Sequence, residues 1–163
     1  MDSTIDLFIK RADNELVLAA IVNRISQETS LKKDVFKIAE ELTFYSAVIE
    51  HAYYAIFHSA KAYLISQGIT FANKQGQHQK VYHKFRLLVK KDVVDKSLLA
   101  MYEEVKGRAD ELLGILHDER KKRGEFTYEK LPQANREPAE QSLINARHFV
   151  SHIKSFIEKH KEK

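Results

Sequence analysis

His51, Tyr54 and His58 are spaced three and four residues apart, so on a helix they share one face and could line a polar groove. The two histidines of that set lie two turns apart, about 10 Å along the axis, too far to chelate one ion. His148 and His152 also share a helical face, but no third metal ligand is identifiable. The Glu-x-x-His pairs of a di-metal helical bundle do not occur either. No metal and no cofactor is therefore expected. The chain has no cysteine, which removes disulfide frameworks and cysteine-based zinc. Its five glycines are scattered, with no phosphate-cradling loop, dinucleotide fingerprint or nucleophile elbow among them.

Charge is the second chemical signal. Between His51 and Lys91 there is no Asp or Glu, while Lys61, Lys74, Lys80, Lys84, Arg86, Lys90 and Lys91 contribute +7 of a chain whose net charge is +4, leaving −3 elsewhere. Such asymmetry suits a phosphate-rich partner. Lys80, Lys84, Arg86 and Lys90 would lie on the outer side of one helix, where they either solvate an exposed face or grip phosphates. A second cationic run, Arg120-Lys121-Lys122-Arg123, precedes the aromatic segment Phe126-Thr127-Tyr128. It either complements the dipole at the end of a helix or forms an anion site beside an aromatic loop.

These groups need elements to hold them, and the chain reads as helical throughout. With 163 residues it is long enough for one domain with a full core, and 5 Gly and 2 Pro provide few turns. The organising stretch is 44–67. Phe44, Val48, Ala52 and Ala55 on one row, with Tyr45, Ile49, Tyr53, Ile56, Ala60 and Tyr63 beside them, make a helix apolar around most of its circumference. Such a helix must be covered on several sides. Ile5, Phe8, Ala12, Leu16 and Ala19 predict a first helix over 3–27. The second is expected to begin near Asp34 and run through Val35, Ile38, Ala39 and Leu42 into the central stretch, either continuously or with its first part as a separate short helix, and to stop at Gly68. Residues 69–79 read as a loop, 78–91 as a third helix, and about 96–122 as a fourth. Gly107 and Gly114, seven apart on that fourth helix, suggest close helix crossings. A fifth helix starts at Arg136-Glu137-Pro138 with Asn135 as cap. The whole, 1–163, is expected to be a single domain with its core at about 3–157 and a frayed tail at 158–163. No apolar run approaches the roughly 18 residues of a membrane span. Asp2 and Asp6 occupy the place of a signal peptide's basic region, so the expected location is the cytoplasm, with no membrane partner.

The segment Glu50-His51-Ala52-Tyr53-Tyr54-Ala55-Ile56-Phe57-His58-Ser59-Ala60-Lys61-Ala62-Tyr63-Leu64, followed by Gly68-Ile69, resembles the second-helix signature of HEPN domains. These are small helical proteins often encoded beside a minimal nucleotidyltransferase. The basic-to-aromatic junction Arg123-Gly124-Glu125-Phe126 is similar too. The resemblance implies an all-α, up-and-down bundle of four to five long helices and a homodimer. It also implies a component of a toxin–antitoxin-type or nucleotidyltransferase-paired system that binds RNA, a nucleotide or a partner through a basic face made of Lys80, Lys84, Arg86, Lys90, Arg120 and Arg123. Tyr128 is, by the same resemblance, a candidate for modification by the nucleotidyltransferase partner. Catalytic members pair an Arg with a His four to six residues later for metal-independent RNA cleavage. At the expected junction this chain has Glu125, Phe126, Thr127 and Tyr128 after Arg123. A formal Arg-x4-His occurs instead at Arg147 and His152. A ribonuclease toxin using Arg147 and His152, or Arg120 with His117, is the alternative, and a non-catalytic dimeric interaction module is a second.

Overall fold

The computed structural model describes residues 3–71, 75–121 and 136–161, with 113–121 and 160–161 described through their backbone alone. Among the described residues every regular element is helical: α1 (Ser3–Gln27), a π-helical turn (Leu31–Val35), α2 (Tyr45–Ser66), α3 (Gln77–Lys90), α4 (Lys96–Lys121) and α5 (Arg136–Lys161). The expectation of an all-α bundle holds.

The central helix is enclosed as its composition requires. α2 packs against α1, α3, α4 and α5. Val48, Ala52, Ala55, Ile56, Ala60, Ala62 and Leu64 on it are fully buried. The alanines let neighbouring backbones come close, and Tyr53, Phe57 and Tyr63 supply area. α1 runs antiparallel to α2: Ser26 Oγ accepts the Phe44 N–H at 2.8 Å at one end, and Phe8 meets the His58 ring near the other. α5 is likewise antiparallel to α1, since Gln27 donates to Glu140 at 2.8 Å while Asp13 pairs with Lys154 at 2.5 Å. Arg108 to Ser142 and Asn145 to Glu104 tie α5 to α4. Under these polar edges lies one aromatic centre, in which Phe85, Tyr102 and Phe149 are fully buried with ring centroids 5.3–5.9 Å apart.

α2 ends as the sequence demands. Gly68 adopts φ +75°, its N–H reaches Ile65 O, and Ile69 N–H reaches Leu64 O. That pair of bonds satisfies carbonyls the helix would otherwise leave open.

Two expectations require correction. No helix runs from Asp34 into α2, because residues 28–44 fold around Lys32. Only 4% exposed, Lys32 directs its ammonium at the carbonyls of Ser26, Glu40 and Leu42. Lys37 takes φ +55°, which breaks helical continuity. Val35 and Leu42, through which that helix was expected to run, are 62% and 43% exposed. Nor does Gly107 serve a close crossing, since a Cβ there would meet nothing within 4 Å. Gly107→Ala is accordingly expected to stabilise the protein by about 1 kcal/mol, the helix-interior cost of glycine. For a chain of this size that is about 2–4 °C in melting temperature, measurable by calorimetry. Gly114 lies outside the residues whose surroundings are described. Among the described residues no helix is long and apolar enough to cross a membrane.

Candidate functional site

Three neighbouring features carry the site: the outer face of α3, a cluster of rings at the α2–α3 junction, and a cavity between α1, the end of α2 and the segment after it.

On α3, apolar Val81, Phe85 and Val89 are buried, which turns the intervening residues outward. Lys80, Arg86 and Lys90 are exposed and Lys84 is half-buried. At 100° per residue Lys80, Lys84 and Lys90 fall within an arc of about 120°, with Arg86 about 40° beyond it. No ion pair among the described residues involves any of the four. Four of the expected phosphate-binding residues are thus brought onto one helix surface. Arg120 belongs to the backbone of α4, but its side chain, that of His117, and Arg123 and Tyr128 lie outside the described residues.

Tyr54 and His58 do meet, as their spacing predicts, with ring centroids 6.2 Å apart. His51, one turn earlier, serves something else: its Nδ1 lies 2.6 Å from Glu15 Oε2 and links α2 to α1. His58 sits among Phe8, Tyr54 and Phe57, and its Nδ1 has no hydrogen-bond partner. Burial first, then the nearby charges of Arg11, His78 and Lys61, pushes its pKa down to about 4. His78, at the start of α3, is the residue the spacing could not place. Its ring stacks on Phe57 at 4.0 Å, with the planes 12° apart, and its Nδ1 is 2.9 Å from the Tyr53 hydroxyl. Burial and Lys61 lower its pKa as well.

The cavity, of about 320 Å³, is lined by Thr4 and Phe8 of α1, Lys61 and Ile65 of α2, and Ile69, Thr70 and Phe71 beyond it. Lys61 is only 8% exposed. Its ammonium lies 4.3 Å from the Phe8 ring centroid and 5.5 Å from that of Phe71, and it donates to the Gln77 side-chain oxygen. Arg11 sits over the Phe8 ring at 5.4 Å, and Lys84 over Phe71 at 6.0 Å. Among the described residues no carboxylate pairs with Arg11, Lys61 or Lys84. Burial, then Arg11, lowers the Lys61 pKa. A cation removed from water normally keeps a carboxylate partner, so this arrangement favours an incoming anion. The signal in the sequence was there: Lys61 is the lone Lys or Arg of α2. Its ring contacts Phe8 and Phe71, and the like charge of Arg11, come from other parts of the chain, beyond the reach of helical spacing.

Arg147 and His152 are both exposed on α5, and five residues place them about 140° apart around the axis. They do not converge, and the His152 ring bonds the carbonyl of His148 on its own helix at 2.7 Å. Among the described residues no three His, Asp or Glu side chains gather as metal ligands. Comparison with protein-family models, curated proteins and solved structures finds no match to this chain.

Proposed function

We propose that the chain is a HEPN-like helical protein that binds a phosphate-bearing ligand, RNA or a nucleotide, through the α3 face. It would do so as a component of a toxin–antitoxin-type or nucleotidyltransferase-paired system. The observation that supports this reading is the row Lys80, Lys84 and Lys90 with Arg86, turned to solvent by the buried Val81, Phe85 and Val89 and without carboxylate partners among the described residues. The ribonuclease alternative gains nothing from Arg147 and His152, whose side chains point in different directions from α5. The dimeric reading does have a surface. Leu7, Val17, Leu18 and Ile21 of α1 are 41–59% exposed and fall within an arc of about 100° on that helix, an apolar stripe of the sort a second subunit covers.

Phosphate binding has a salt signature. Each phosphate neutralised on a single strand contributes about −0.7 to the log–log slope, so engagement of three or four cations predicts about −2 to −3. Fluorescence anisotropy with a labelled single-stranded RNA, from about 50 to about 300 mM salt, measures that slope. Binding that is absent at low salt, or present but insensitive to salt, would sink the reading.

A further inference from the structure

The cavity behind Lys61 asks for a more specific occupant than a polyanion lying along α3. We infer that it is a binding site for a small organic phosphate carrying a planar ring, of nucleoside monophosphate size. Lys61 lines it and is buried with an amide, not a carboxylate, as its described partner, while Arg11 and Lys84, from two other helices, sit over the rings of the lining residues Phe8 and Phe71. Two or three positive groups match a phosphate dianion, whose oxygens accept charge-assisted hydrogen bonds from lysine and arginine. A bare inorganic anion would leave most of the space unused. The cavity measures about 320 Å³, at the lower end of the range of small-molecule sites, and Phe71, Ile65 and Ile69 give it an apolar wall. A flat heterocycle set against Phe71 buries that wall while its phosphate draws the Lys61 ammonium off the Phe8 ring. The threonine at position 70 adds a hydroxyl at the cavity wall to orient the polar part of the ligand. The inference does not rest on the α3 reading, since a pocket ligand can bind whether or not RNA does.

Isothermal titration of the purified full chain with adenosine 5′-monophosphate, inorganic phosphate and adenosine separates the possibilities. Saturable binding of the monophosphate is expected, with phosphate alone and adenosine alone each weaker by about tenfold or more. Lys61→Met keeps the buried stem and removes the charge. Because a hydrogen bond to a charged group is lost, affinity for the monophosphate should fall about tenfold to a hundredfold. Phe71→Leu, on the connecting segment and so less coupled to the core, should weaken the monophosphate and leave inorganic phosphate unchanged, a result that stands even where Lys61→Met folds poorly. Lys96→Ala, an equal loss of charge on exposed surface, should change nothing. No binding of the monophosphate at about 5 mM overturns the inference. So does inorganic phosphate binding as tightly as the monophosphate, or monophosphate affinity unmoved by both Lys61→Met and Phe71→Leu.

Discussion

Phe149→Ala is expected to cost about 3–5 kcal/mol of folding stability, the usual penalty for deleting a buried aromatic ring. Phe149 is fully buried, and its ring meets Phe85 of α3 at 5.3 Å and Tyr102 of α4 at 5.8 Å. It is therefore the point at which α5 grips two other helices at once. Truncation leaves a void bounded by two large, fully buried rings, which cannot move in to fill it without leaving their own packing. Against a typical total of 5–15 kcal/mol, such a loss brings the domain to the edge of unfolding. Urea denaturation followed by circular dichroism checks it. Substitution of the half-exposed Ile144 on the same helix should cost only about 1 kcal/mol, because about half of that side chain stays in water on folding. If the two variants unfolded at the same urea concentration, the aromatic centre described here would be wrong.

The second large effect is a dependence of stability on pH centred on His58. In the folded chain its pKa is pushed down to about 4, whereas an unfolded histidine titrates near 6.5. Between those values the unfolded chain binds a proton that the folded chain refuses. Stability is thus complete above about pH 6.5 and is lost progressively as the pH falls towards 4. The groups facing this ring sharpen the effect: Arg11 from α1, Lys61 from α2 and His78 from α3 are all cationic or become so, and His78 is itself shifted in the same direction. Partial exposure screens the change, so the contribution of His58 is on the order of 1–2 kcal/mol. His58→Phe retains a ring among Phe8, Tyr54 and Phe57 and abolishes the titration. Melting temperatures taken between pH 4.5 and 7 should fall less steeply with acid in that variant than in the wild type. Identical profiles would contradict the buried, partnerless Nδ1.

Much of this architecture could be read before any coordinates. α1 occupies 3–27 as its apolar period predicts, and α3, α4 and the start of α5 fall within a residue of their expected limits, because each alternates a buried row with a polar one. α2 was legible through its excess of apolar residues on every side. What failed was the stretch 34–44. Val35, Ile38, Ala39 and Leu42 carry helical spacing, yet a single buried ammonium, Lys32, collects backbone carbonyls from Ser26, Glu40 and Leu42 and bends the chain into a knot of local structure. Spacing records which residues could share a face. It does not record a lysine that competes for the carbonyls a helix would use. The same limit applied to the site. Tyr54 and His58 were visible together because they share one helix, and the α3 cations likewise. The meeting of His78 with Phe57, and of Lys61 with Phe8 and Phe71, depends on how α3 packs against α2 and on the antiparallel seating of α1, both of which are tertiary outcomes.

The α3 surface as the place where a phosphate-bearing ligand docks is tested most directly by residue-level mapping. Backbone amide shifts would be followed while a single-stranded RNA of about 12 nucleotides, within the length such sites cover, is added to the isotope-labelled chain at low salt. The account predicts shifts concentrated at 80–90 on α3 and extending to 61 and 71 through Lys84. Shifts confined to the neighbourhood of Arg147 and His152 on α5, or none anywhere, would contradict it.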